Sequence, residues 1–307
     1  MIFDFHCDTV HKIDRAGELL NNPAAHLDLC RMKAAGYKLQ TFAAFVDIGR
    51  CGEGGAWGEA LSLIQRLKSA IEENDALISV VQSRGELSDN LERGKMSALL
   101  SVEEGDVIDG NVSRVEILAG LGVRMTTFTW NYDNGISGCA ASGSDKGLTP
   151  MGYDFLSEIE RRGIISDVSH ISDRGFYDIA AAAKRPFLAS HSNSRAVCGV
   201  RRNLTDDMIK IIAERGGVVG LNYYADFIGG DGSIEALMHH AVHIKNVGGA
   251  EVLALGSDFD GIEDNPYIKD ASAVVRIGET LLSSGFSNDE ADLVLFGNAK
   301  RFLYDAL

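Results

Sequence analysis

Short apolar runs alternate with stretches of helical period along the whole chain. The apolar runs predict strands over 2–6, 39–46, 78–82, 97–103, 123–129, 164–170, 187–191, 217–223 and 252–258. Between them lie segments such as WGEALSLIQRLKSAIEEN (57–74) and TDDMIKIIAERGG (205–217), whose apolar residues recur at helical spacing. Gly36, Gly122, Gly163 and Gly216 fall where helices should end, as left-handed C-caps do. Strand–helix alternation implies a parallel sheet, and a closed (β/α)8 barrel needs eight strands. The run ISVVQ (78–82) is the weakest of the nine, because no polar constellation follows it; left outside the barrel, it leaves eight. The closing NDEADLVLFGNAKRFLYDAL predicts a terminal helix or helix pair. No linker, low-complexity tract or fixed-period repeat interrupts the pattern, so 1–307 reads as one domain.

Polar residues gather at one kind of position in this pattern. The chain opens MIFDFHCDTV, a greasy strand ending in His6 and Asp8. Alternation along a strand points those two side chains the same way and Cys7 the other. Strand 97–103 ends in Glu103 and Glu104, strand 164–170 in His170, strand 187–191 in His191, and strand 252–258 in Asp258 with Asp260 beyond. Three of the eight histidines thus sit at C-terminal strand ends, which in a (β/α)8 barrel all surround one mouth, where chemistry is done. Imidazole and carboxylate together suit zinc. The set exceeds the need of one tetrahedral ion and fits two, provided one carboxylate bridges. Glu103 is the natural bridge, because its strand lies between the two ligand groups. One ion would have His6, Asp8 and Glu103; the other Glu103, His170 and His191. A water between two such ions becomes a nucleophile near neutral pH.

Charge and cysteine content narrow the partners. Of 307 residues 45% are apolar, ample for a large core, and 44 acids against 29 bases leave a formal charge of −15. A field of that sign repels phosphate backbones and anionic lipid heads, which sets aside nucleic acid and membrane surfaces. No apolar run approaches the ~20 residues a spanning helix needs, and the N-terminus lacks the regions of a signal peptide. Five scattered cysteines and no export signal point to reduced thiols in a cytoplasm. A homodimer is compatible with all of this.

The pieces FHCDT, SVEEG, GVRMTTFTWN, GLTPMGYDFLSEIERRGIISDVSH, SHSNSRAVCGVRRNLTDDMI, GGVVGLNYY and LGSDFDG, in this order, resemble the membrane dipeptidase (renal dipeptidase) family of zinc peptidases, relatives of the amidohydrolases. The likeness runs over nearly the whole chain, and the interval of 21 residues from His170 to His191 is similar too. The resemblance implies a distorted (β/α)8 TIM-type barrel with added C-terminal helices. It also implies a two-zinc centre that hydrolyses dipeptides, often with a D-residue at the C-terminal position. Carried over, His6, Asp8, Glu103, His170 and His191 resemble the metal ligands. Arg202, in RRN, resembles the residue that grips the substrate's free carboxylate, a task a planar guanidinium performs bidentately. Asp258 resembles the acid that handles the proton, with Asp260 as a rival. Tyr224 is expected to contact substrate. One departure stands out: after TTFT, where mammalian members carry a His, this chain has Trp130. An indole donates one hydrogen bond but takes up no proton at neutral pH, so Trp130 should act on substrate preference. The chain is also shorter than the mammalian enzymes.

Other features carry less. The pair His239 and His243, at i and i+4 in LMHHAVHIKN, precedes strand 252–258 and so faces the wrong end of the barrel. His11 and His26 read as loop or cap residues, Cys7 as a buried thiol, and Cys198 lacks a neighbouring base. Ser190 and Ser192 flank His191 only in sequence. Glu104, adjacent to Glu103, should point elsewhere. The Gly-rich CGEGGAWG (51–58) lacks the Gly-Lys-Ser/Thr ending of a phosphate loop. Two rival functions stay open: a related binuclear amidohydrolase acting on another amide, a lactam or a lactone, and a non-catalytic metal-binding barrel.

Overall fold

The computed structural model describes residues 1–15, 17–51 and 55–307; residues 52–54 of the Gly-rich loop lie outside the described residues. Eight parallel strands form one sheet: β1 (Ile2–Cys7), β2 (Tyr37–Phe45), β3 (Ile78–Val80), β4 (Met96–Glu103), β5 (Val123–Thr127), β6 (Ile165–Asp167), β7 (Val219–Leu221) and β8 (Leu253–Leu255). Seven of them run in the order β6-β5-β4-β2-β1-β8-β7. β3 pairs only with the start of β4, through Met96, Ser97 and Ala98, while β5 pairs further along β4 from Leu100. The weak run is thus an extra strand beneath β5.

The eighth stave is the segment 187–190. It forms single bridges, Asp167 to Leu188 on one side and Ala189 to Val219 on the other, rather than the continuous strand expected. Those bridges join β6 to β7 and close the ring. Gly220 permits this approach: a Cβ there would collide with the Ser190 carbonyl. The staves expected over 164–170, 217–223 and 252–258 are also shorter than the apolar runs suggest. In each the chain leaves the ladder early to present side chains at the mouth. His170 and Asp258 do so in the left-handed region, at φ 70° and 62°, a conformation costly for a residue with a Cβ and concentrated at functional sites.

Inside the ring, Phe3, Phe5, Leu39, Leu99, Met125, Ile165, Leu188, Val218 and Ala254 form an apolar plug, packed from below by Phe302 and Leu303 of the helix Asn298–Ala306. That helix follows Asn288–Asp292 through a π-helical turn, in keeping with the expected terminal helix pair. A second core lies between strands and outer helices, and includes Ala98, Leu100 and Val102 of β4. Helix signals act where the sequence places them. The helix Asp206–Glu214 is capped by Thr205, whose side chain accepts from the Met208 N–H, and Gly216 beyond it has φ 73°. Among the described residues no helix is long and apolar enough to cross a membrane.

One irregularity in β1 decides the site. Phe3 and Phe5 both belong to the inner plug, so strict alternation would send His6 outward. The pairing with β2 slips between Asp4 and Cys7, and Cys7 lands in the outer core. This bulge re-aims the strand end so that His6 faces the mouth.

Candidate metal centre

Five strand ends converge as expected. His6 Nε2 lies 3.2 Å from Glu103 Oε2 and 3.4 Å from Asp8 Oδ2. Glu103 Oε1 lies 2.9 Å from His170 Nε2 and 3.5 Å from His191 Nε2. The two oxygens of Glu103 therefore face two different groups. Among the described residues three sets of donor atoms are close enough to share an ion: His6, Asp8 and Glu103; Glu103, His170 and His191; and His6, His191 and Asp258. All six residues are buried. Asp258 Oδ1 is 3.8 Å from His6 Nε2, which draws this acid into the same cluster. Its rival Asp260 is occupied elsewhere, accepting from Thr9 Oγ1 at 2.6 Å and from the His26 N–H at 2.7 Å.

The electrostatics are those of a crowded donor set. Burial opposes charge on His6, but Glu103 and Asp8 outweigh it and hold its pKa well above the ordinary value. Burial, then the Glu103 charge, lifts Asp8 to about 6; burial lifts Asp258 to about 7. Burial also favours a neutral Glu103, yet the His6 charge and three imidazole contacts keep it ionised, well below the usual range. His170, buried and near the Arg202 charge, falls to about 4, and burial holds His191 well below the usual value. Both Nε2 atoms of His6 and His191 face Glu103, and His6 Nε2, His6 Nδ1 and Asp8 Oδ1 are buried without a hydrogen-bond partner. Buried polar atoms are rarely left so. A divalent cation that takes nitrogen and oxygen donors would satisfy them, so the residues present fit a metal.

Several supporting residues carry no signal in sequence patterning. Asn131 Oδ1 accepts from His170 Nδ1 at 3.1 Å, and Ser190 Oγ holds His191 Nδ1 at 2.6 Å, which leaves each Nε2 aimed at the centre. Ser190 is fully buried and so an orienting group rather than a nucleophile. Asn222 donates to Asp258 Oδ2 at 2.9 Å. Gly261 packs against the Asp8 and Asp258 carboxylates, where a Cβ would collide with Asp8 Oδ2.

A cavity of about 440 Å³ opens above the cluster, lined by Asp8, Glu103, His170 and Asp258 below and by Phe45, Trp130, Tyr224, Phe227 and Ile262 at the sides. Trp130 stacks obliquely on Phe45, with centroids 4.7 Å apart. Arg202 is placed differently from Trp130 and Tyr224. It is buried behind His191, donating from Nη1 to Ser192 Oγ at 2.7 Å and from Nη2 to the His191 carbonyl at 3.0 Å, and is not on the cavity wall. Its Nε has no partner. Glu104 turns away from the centre as expected, at φ 98°, accepting from the Trp130 and Asp106 N–H groups. Burial pushes it up to about 7. The pair on the helix Ile234–Gly248 stays outside: His243 binds Asp206 at 2.7 Å, and neither His239 nor His243 joins a ligand group among the described residues. His11 lines the cavity and donates to the Phe45 carbonyl; His26 ties Asp260 to Asp264. The Cys198 thiol donates to the Asp226 carbonyl.

A parallel barrel with histidines and carboxylates gathered at its C-terminal mouth has the arrangement of a metal-dependent barrel enzyme. Comparison with known proteins narrows the class. The profile of the membrane dipeptidase family, peptidase family M19, matches residues 1–306. The chain belongs to that family. It is 29% identical over 294 residues to an uncharacterised dipeptidase of Schizosaccharomyces pombe, covering 89% of this chain and 72% of the relative. The crystal structure of dipeptidase AC, a metallopeptidase of family M19, superposes with a TM-score of 0.91 at 26% identity over 99% of this chain and 98% of that one. A metallopeptidase from Rhodobacter sphaeroides, solved with a phosphinate mimic of the dipeptide L-Ala-D-Ala, has a TM-score of 0.89 at 24% identity over 100% and 99% of the chains.

Proposed function

We propose that residues 1–307 act as one hydrolase domain that cleaves dipeptides with two zinc ions at the barrel mouth. The observation that carries this reading is Glu103, whose two oxygens face two separate groups of donors. His6, Asp8 and Glu103 would hold one ion and Glu103, His170 and His191 the other. Zinc so held would polarise the scissile carbonyl and lower the pKa of a shared water, making it a hydroxide nucleophile near neutral pH.

The remaining work falls to side chains. Asp258, lifted to about 7 by burial, accepts the nucleophile's proton and returns it to the leaving amine. Asn222 keeps that carboxylate turned toward His6. Arg202, behind His191 with Nε unpaired and its guanidinium carbon 5.6 Å from the ring centroid of the cavity-lining Phe227, supplies positive charge that draws the substrate's terminal carboxylate to that side of the cavity. Trp130 and Tyr224, on the cavity wall, meet the dipeptide's side chains. A D-residue at the C-terminal position fits this reading, given the L-Ala-D-Ala mimic bound by the R. sphaeroides relative. Five free cysteines suit a reducing cytoplasm.

The test is metal analysis joined to a substrate panel. Two zinc ions per chain are expected, with Glu103→Ala losing metal from both positions. Dipeptides of L–L and L–D form should be cleaved, and C-terminally amidated ones poorly. Turnover of lactones or N-acyl amino acids in preference to dipeptides would replace the substrate assignment. Full metal and full activity in Glu103→Ala would overturn the bridging role.

A further inference from the structure

Two fully buried aspartates lie beneath the mouth, and the proposed chemistry uses neither. Asp4 sits on β1 and Asp167 ends β6; both have zero exposure, and neither lines the cavity. An isolated carboxylate taken out of water is strongly disfavoured unless specific hydrogen bonds compensate. What these two accept is therefore informative.

Asp4 Oδ1 accepts the His6 N–H at 3.0 Å, and the same carboxylate accepts the Ser257 N–H at 3.2 Å. Asp4 thus ties the strand end that carries His6 to the residue preceding Asp258. It also takes the Gln40 side-chain amide at 3.2 Å. The bonds fall on the bulge that re-aims His6. Asp167 repeats this arrangement on the other half of the ring. Its Oδ1 accepts the Ser169 N–H and the Ser190 N–H, both at 2.9 Å. Ser169 precedes His170 and Ser190 precedes His191, so one oxygen ties together the two ends that carry the imidazoles. This second tie spans the segment 187–190, which has only single bridges to hold it in the barrel.

We propose that Asp4 and Asp167 are positioning residues, one beneath each half of the centre: Asp4 clamps the strand ends that present His6, a ligand of one ion, and Asp258, the proton carrier, and Asp167 clamps the two ends that present His170 and His191, ligands of the other. The proposal rests on the two-ion reading above. A carboxylate that accepts two backbone N–H groups from neighbouring staves fixes their relative height. The strained φ at His170 and Asp258 needs such support from outside the local chain. Groups that orient metal ligands typically change metal affinity by about 10–100-fold when removed.

The experiment measures zinc per chain after loading with zinc and dialysis, in a double-mutant design. Asp167→Ala should fall from about two ions to about one. Adding His191→Ala should then remove nothing further, whereas adding Asp8→Ala should remove the second ion. Asp4→Ala should show the converse, insensitive to Asp8→Ala and emptied by His191→Ala. Asn at either position keeps one accepting oxygen, so Asp167→Asn and Asp4→Asn should restore most of the lost ion; these variants also cover the case in which an alanine variant fails to fold. If both aspartate variants lower the two ions equally, or neither lowers any while melting normally, the clamp assignment is wrong. If the unmodified chain itself does not hold two zinc ions, it is the two-ion reading that fails.

Discussion

Gly261 closes the run SDFDG, and the sequence alone offers no reason for it to be a glycine. Its φ is outside the left-handed region, so alanine meets no backbone strain there. The constraint is purely one of space. A Cβ at 261 would collide with Asp8 Oδ2 and lie 3.0 Å from Asp8 Cγ and 2.7 Å from Asp258 Oδ1. Even attractive carbon–oxygen contacts settle at about 3.3–3.6 Å, so the Asp8 carboxylate must retreat by on the order of 1 Å. Metal–ligand distances tolerate only about 0.2 Å. Losing even a group that merely orients a ligand costs about 10–100-fold in metal affinity. Displacing Asp8 itself should therefore weaken zinc at the His6 position by at least the upper figure, about 100-fold or about 2.7 kcal/mol. Gly58, in the helix Gly55–Glu72, is the control, because a Cβ there meets nothing within 4 Å. Gly58→Ala should stabilise by about 0.5–1 kcal/mol and leave zinc binding untouched. Competitive zinc titration with a chromophoric chelator, run beside a thermal melt and dipeptide turnover, reads all three quantities. Gly261→Ala with unchanged zinc affinity and full turnover would refute the steric argument and the ligand role of Asp8 with it.

Two further expectations follow from the same centre. Zinc requires a neutral His6 and ionised carboxylates, whereas His6 holds its proton well above the ordinary value and Asp258 and Asp8 titrate near 7 and 6; binding must expel protons, and affinity falls as pH falls, by about tenfold per pH unit for each proton released. Calorimetry of the chelator-stripped protein in buffers of different ionisation enthalpy should count one proton or more at pH 7.5 and a rising number toward pH 6, and a pH-independent affinity would contradict the assignment. Trp130→His should reorder a dipeptide panel more than it changes the best turnover, because the indole shapes the cavity wall beside Phe45 without handling a proton; an unchanged ranking with a large drop in melting temperature would make the residue structural.

Much of this protein is local and therefore readable along the chain. Strand–helix alternation, Gly caps such as Gly36 and Gly216, and the weakness of ISVVQ depend on neighbouring residues, and the barrel follows from them. The polar residues at strand ends were legible for the same reason, since parallel staves deliver all their C-termini to one mouth whatever their order. The resemblance to a known family added roles for Arg202, Trp130 and Tyr224 that no pattern supplies. What the chain in one dimension could not decide is whatever depends on which stave lies beside which. Alternation through Phe3 and Phe5 sends His6 outward; only the slipped pairing with β2 turns it to the mouth. Asp258 and Asp260 look equivalent in the run DFDG, and they part because Thr9 and His26 reach one while Asn222 reaches the other. Segment 187–190 is a stave by virtue of its neighbours, Asp167 and Val219, and not of its own ladder. Arg202 is set behind His191 rather than on the cavity wall because Ser192 and a carbonyl hold its guanidinium. Asp4, Asp167 and Gly261 acquire their importance from residues as far as 253 positions away. Such contacts are made across the barrel, between segments that only folding brings together, and local pattern holds no record of them.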